Sequence, residues 1–139
     1  MIYLFSMKKV KIKYESHIFQ NEYIDKMIEE SIGNLSESED EVILSFMITQ
    51  ENIKELVSFI YSEEKVEIKR SNYSLIFKEN QMIECDHNTE YGVIKLRTKL
   101  KKKLRLGNQF VINYDLFIGN DNIGSYIIKI SYEEVIGND

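Results

Sequence analysis

The 139-residue sequence has no proline, no alanine and no tryptophan, and it holds one cysteine, two histidines and six glycines. A lone Cys85 excludes an intramolecular disulfide and fits a reducing compartment. One cysteine and two histidines are also too few for a structural zinc site of four Cys/His ligands within one chain. No apolar run approaches the 18 residues that mark a membrane-spanning helix. Residues 1–6, an apolar stretch, are far shorter than a secretory signal requires. A cytoplasmic protein that does not enter the membrane is expected. Basic residues are outnumbered, 18 against 23 acids, for a net charge of −5, which argues against a dedicated nucleic-acid binder. The apolar material that is present is β-branched and aromatic, with nine tyrosines and seven phenylalanines, and this favours sheet. A base composition poor in G and C gives a similar bias, so periodicity is the better guide.

From Lys9 to Gln20 the chain alternates strictly, with Val10, Ile12, Tyr14 and Ile18 on one side and Lys9, Lys11, Lys13, Glu15 and His17 on the other. That is the signature of a half-buried strand. Asn21 to Leu35 is ambiguous, since Ile24, Met27, Ile28, Ser31 and Leu35 would also line a helix face; it is read as a strand. The same ambiguity attends Lys54 to Ser62, between tightly spaced strands. Val42 to Thr49, Lys65 to Arg70, Tyr73 to Phe77, Met82 to His87, the stretch from Ile94 to Leu100, Phe110 to Ile118 and Tyr126 to Tyr132 all read as strands joined by short polar turns. Strands at this spacing, without crossover helices, predict an all-β fold: one antiparallel meander barrel of eight or nine strands over residues 7–139, preceded by an extension of residues 1–6. Val10, Ile12, Leu44, Phe46, Ile68, Leu96, Ile112, Tyr114 and Ile128 are expected to point inward, because a slip of one residue would expose them all.

Three blocks carry a resemblance: Val66-Glu-Ile-Lys-Arg70, then Thr89-Glu-Tyr-Gly92-Val-Ile-Lys-Leu-Arg-Thr98, and Asn113-Tyr-Asp-Leu-Phe-Ile-Gly119 with Ile130-Ser-Tyr-Glu-Glu134. In order and spacing they resemble the YwiB-like family, a bacterial domain of unknown function. The resemblance implies a calycin-like, lipocalin-like β-barrel, favours strand for both ambiguous segments, and implies no activity. Two turns depart from the family pattern, at Asn72, where a glycine is usual, and at Thr49-Gln-Glu-Asn52. The Gly-x-Trp motif of true lipocalins is absent, so ligand carriage does not transfer from them.

Few residues invite chemistry. Cys85 and His87 share a strand face, but a catalytic pair also needs an oxyanion donor and an orienting group; an ordinary strand face is expected, and His17 is expected to be a solvated histidine. The acidic turn at Glu37, Glu39, Asp40 and Glu41 lacks the spaced ligands and glycine of a calcium loop. Neither a metal nor another cofactor is expected, and an enzyme is not expected. Arg70 is more informative, because it falls in phase with Val66 and Ile68 and so starts on the apolar side, where it must be paired. Tyr14, Tyr114, Tyr126 and Tyr132 are in phase with apolar positions too. Arg70 with these four tyrosines is the candidate site for a small amphipathic or anionic ligand. The alternative is an interaction protein that contacts nucleic acid or an acidic protein through a basic strand. Between Val93 and Leu106 lie seven bases and no acid, and Lys95, Arg97, Lys99, Lys101 and Lys103 are its candidate surface. An interior cavity favours the first reading; a filled barrel with a basic patch favours the second.

Overall fold

In the computed structural model, which describes residues 6–135, the chain is strand throughout. In order these are β1 (Ser6–Gln20), β2 (Tyr23–Glu37), β3 (Glu41–Gln50), β4 (Ile53–Ser62), β5 (Val66–Lys69), β6 (Ser74–Phe77), β7 (Met82–Thr89), β8 (Gly92–Leu106), β9 (Gln109–Ile118) and β10 (Asp121–Glu134). The extension expected over residues 1–6 lies outside the described residues except for Ser6, which faces Glu37. All pairing is antiparallel, and the order across the sheet is β6-β5-β4-β3-β2-β1-β10-β9-β8-β7. The two edges of this sheet, β6 and β7, come together. Tyr73 bridges His87, the Asn88 N–H donates to the Asn72 carbonyl at 3.2 Å, and the Thr98 hydroxyl donates to the Ile76 carbonyl at 2.6 Å. The result is a nearly closed barrel.

The strand count is ten, not eight or nine. Both ambiguous segments are strands, and the four-residue β5 and β6 form a hairpin of their own around Ser71-Asn72-Tyr73. The turn at Glu51 and Asn52 has positive φ at both residues, 51° and 66°, as a two-residue hairpin of the primed type demands.

Period-two alternation places the core. All nine positions expected inside are buried, and around them pack Phe59, Phe77 and Phe110, each at 1% exposure or less. Phe59 meets Phe110 edge-on at 5.4 Å, Phe77 meets Tyr114 at 4.4 Å and Tyr14 meets Phe46 at 5.5 Å, so aromatic pairs join opposing walls across the lumen. Two irregularities shape this barrel. At Gly33 the backbone of β3 passes so close to β2 that a Cβ would sit 2.3 Å from the Ser45 carbonyl oxygen and 3.1 Å from Phe46 Cβ. In β8 the register shifts between Leu100 and Lys102, leaving Lys101 as the extra residue of a bulge.

Candidate functional site

A meander sends successive turns to alternate ends of the barrel, and this sorts the candidate residues. One end carries the β3–β4 and β5–β6 turns and hence Arg70. The Arg70 side chain is 16% exposed and meets Glu55, which is 21% exposed, with Nη2 at 2.5 Å and Nε at 3.2 Å from the same carboxylate oxygen. The other oxygen accepts from the Ser71 N–H at 3.0 Å and the Ser71 hydroxyl at 2.8 Å. Hydrogen bonds from Arg70, chiefly, and from Ser71 hold the Glu55 carboxyl at a pKa of about 2, against the cost of its partial burial. The guanidinium also lies over the Tyr73 ring, 5.9 Å from its centroid.

Tyr14, Tyr114 and Tyr126 lie toward this end. Tyr126 stacks on Tyr114 at 5.1 Å, and burial pushes the Tyr114 hydroxyl well above the ordinary tyrosine range. Tyr132 does not join them. It sits toward the opposite mouth, where its hydroxyl reaches Glu37 at 3.3 Å. Arg70 and three of the four tyrosines are therefore grouped, and the fourth is not. Glu55, which sequence reasoning missed, belongs with Arg70; the signal for it is its phase with Val57 and Phe59 on β4.

At the opposite mouth the acidic turn of Glu37 to Glu41 meets Glu63, Glu64 and Glu79 around a cleft of about 990 Å³. Lys103 and Arg105 face this cleft, not the outer wall. The bulge at Lys101 reverses which side of β8 each later residue occupies, so Lys103 opposes Ile112 and Arg105 opposes Phe110. The Lys103 ammonium bonds the carbonyls of Ser62 and Glu63 and lies 4.8 Å from the Tyr61 centroid. Its pKa is lowered by burial, with Glu79 and Glu63 opposing.

Lys95, Arg97, Lys99 and Lys101 remain on the outside of β8 or at its bulge, with company. Lys95 pairs with Asp86 at 2.8 Å and Glu84 at 3.7 Å on β7, and Lys101 meets Asp115 at 3.6 Å on β9. Arg97 donates to the Gly119 carbonyl and to Asn120 Oδ1, tying β8 to the β9–β10 turn. Among the described residues, Lys99, Lys102, Lys129 and Lys9 make no ion pair, and with Lys11 and Lys13 they extend the basic character across β10 to β1.

Cys85 is 6% exposed, and burial raises the pKa of its thiol. Its neighbour His87 meets the Tyr73 ring edge-on at 4.8 Å. His17 lies 3.3 Å from Glu15. No group of three or more metal-ligating side chains is assembled among the described residues. Cys85 should therefore resist iodoacetamide in the folded protein and react readily in urea; equal rates in the two states, followed by mass spectrometry, would contradict this environment. Thr89 and Tyr91 in the Thr89-Glu-Tyr-Gly92 block serve a turn: the Thr89 hydroxyl donates to the Gly92 carbonyl at 2.8 Å and accepts from the Tyr91 N–H at 3.2 Å. Gly92 supplies a φ of 122° there.

No described helix is long and apolar enough to cross a membrane. A search of curated proteins finds no match. Among solved structures, the ywiB protein from Bacillus subtilis has a similar fold, with a TM-score of 0.81 over 94% of this chain and 95% of that one at 18% identity. The family model for a domain of unknown function, DUF1934, matches residues 10–130. This chain, an antiparallel and nearly closed β-barrel, therefore belongs to the DUF1934 family.

Proposed function

We propose that this domain is a non-catalytic, cytoplasmic interaction module of calycin-like build that contacts an acidic protein surface through its basic outer wall. The observation that carries this reading is the combination of a lumen occupied by its own aromatic side chains with a segregation of charge. In a molecule of net charge −5, the acids gather at one mouth, while the outer faces of β8, β10 and β1 carry an excess of lysine and arginine. These bases lie on one side of the barrel in two groups, β8 on one flank and β10 with β1 on the other, separated by β9, which carries no base and places Asp115 between them. Among the described residues, exposed aromatic side chains occur only at one end of the wall, at Phe19 and Tyr91, and not among the bases along it. The stacking platforms that single-stranded nucleic acid uses are therefore few, which favours a protein partner. Weak, salt-sensitive binding is expected, since exposed charges are screened over about 8 Å at physiological ionic strength. Replacing Lys99 and Lys101 together by glutamine should reduce retention on heparin, used as a polyanion probe, while leaving the melting temperature nearly unchanged. Unchanged retention would remove the wall from consideration.

A second reading is favoured by a groove of about 1040 Å³ beside Arg70, where the exposed Ile53 and Leu56 provide apolar surface and Lys54 and Lys69 provide cations. A small amphipathic anion fits that lining. Because Glu55 already engages Arg70, such a ligand would rely on the two lysines or displace Glu55. Native mass spectrometry of protein purified from its own host tests this directly: a retained small anionic molecule supports it, and a bare chain argues against it.

A further inference from the structure

Strand β2 keeps β1 beside it along its whole length but parts from β3 early. Only Asn34 to Glu37 face β3, opposite Ser45 to Val42. Among the described strands none forms a backbone ladder with the far edge of β2 from Tyr23 to Gly33. The end of β3 reaches only inward-phased side chains of that stretch, the Thr49 N–H donating to the Glu29 carboxylate at 2.8 Å and the Gln50 amide to the Met27 sulfur at 3.3 Å. The β1–β2 hairpin turns on two residues, Asn21 and Glu22, so Gln20 and Tyr23 form a hydrogen-bonded pair and the odd residues of β2 direct their backbone groups at β1. Ile24, Lys26, Ile28, Glu30 and Ile32 direct theirs at the open edge. Consistent with this, the Lys26 N–H is met by the Asp25 carboxylate, at 2.9 Å, and not by a strand. The same residues put their side chains on the outer face, where Ile24, Ile28 and Ile32 are 66%, 49% and 55% exposed. A long apolar edge without proline or bulge is a template for another strand.

We propose that this edge pairs with the same edge of a second copy of the chain, antiparallel about a two-fold axis at Ile28. In that register Ile28 faces Ile28, Ile24 faces Ile32 and Lys26 faces Glu30, the last two pairs occurring twice by symmetry. Alternative registers are worse. Sliding one strand by two residues sets isoleucines against charges, and sliding it by four sets Lys26 against Lys26 or Glu30 against Glu30. The outward backbone groups suit the Ile28 register, since each facing pair is one whose N–H and C=O are not engaged by β1. Glu30 already meets Lys11 at 3.5 Å within its own chain, so Lys26 of the second copy joins an existing pair. Phe19, opposite Ile24 in the hairpin and 37% exposed, widens the apolar surface that the pairing covers.

Sedimentation of the full chain tests the proposal. The wild type should form a concentration-dependent dimer in the micromolar range. Lys26→Glu and Glu30→Lys each place like charges opposite one another, and each should weaken the dimer by about ten-fold or more. The double variant carrying both changes should restore it. Register is tested by disulfide formation under mild oxidation. Ile28→Cys should cross-link to itself, because facing Cα atoms in such a pair lie about 5.5 Å apart. Ile24→Cys alone should not, since it faces Ile32. A wild type that stays monomeric would overturn the proposal, as would a dimer indifferent to both charge reversals or one that cross-links equally at Ile24→Cys.

Discussion

Replacing Gly33 by alanine is expected to lower stability by about 3 kcal/mol or more, the upper range for overpacking a rigid site. The added methyl would lie 2.3 Å from the Ser45 carbonyl oxygen, 2.7 Å from Ile12 Cδ1 and 3.1 Å from Phe46 Cβ. A flexible side chain in that position would swing aside, but two of these atoms belong to, or are fixed by, the backbone of β3. Relief requires β2 and β3 to move apart just where their pairing begins, between Asn34 and Ser45. For a domain of this size the melting temperature should fall by roughly 10 °C. Alanine at Gly107 is the control. Nothing lies within 4 Å of a Cβ there, and the left-handed φ of 60° is its main penalty, worth about 1 kcal/mol. Equal losses at the two glycines, measured by urea unfolding, would show that close packing is not the reason for Gly33.

Arg70→Met should cost about 2–3 kcal/mol at neutral pH, because it leaves Glu55 partly buried with only Ser71 to bond it. The dependence on pH carries a distinct signature. The carboxyl of Glu55 has an ordinary pKa of 4.5 and a folded value of about 2. A depressed folded pKa means that the pair stabilises fully above about pH 4.5 and that this contribution fades as pH falls toward 2. Wild-type stability should decline through that window, whereas the variant, starting lower, should decline less. Parallel pH profiles for the two proteins would mean that the pair contributes no net stability. A variant as stable as wild type at pH 7 would place Arg70 among side chains that merely reach water from the rim.

Much of this molecule is legible in its alternation. The inward residues of β1, β3, β9 and β10, and of β8 as far as Leu100, follow from period two alone, and the inward phase of Arg70 correctly announces a partner. What the alternation hides has physical causes. In β8, Leu96 and Leu100 and then Leu104 and Leu106 are all even-numbered, so the apolar phase runs unbroken through the bulge at Lys101. After the bulge the leucines face outward, Leu106 being 64% exposed, while Lys103 and Arg105 turn to the mouth. The helix-like spacing of β2 has a different origin. Its isoleucines line an outer face that strands ordinarily fill with polar residues, so the strand is apolar on both sides near Met27 and Leu35. Glu55 escapes notice because Ile53, Leu56, Val57 and Ile60 mimic a helical stripe; phased as a strand on Val57 and Phe59, it falls inside with Arg70.

The place where the barrel fails to close completely also bears on how it assembles. Its seam falls between β6 and β7, neighbours in the chain, while β1 and β10 are joined by a full ladder in which Val10 meets Glu134 and Phe19 meets Ser125. The longest loop closure is thus assigned to one of the most extensive pairings, and the easiest local contact is left almost unmade. Each half, β1 to β6 and β7 to β10, is a run of sequential hairpins able to form early and locally. Their union waits for β10, because contacts of high sequence separation pay their closure entropy before any pairing rewards it. Until then β1 and β10 both present unpaired edges. The topology therefore predicts that this barrel folds by docking two meanders, with the slow step at the middle of the finished sheet and not at its rim.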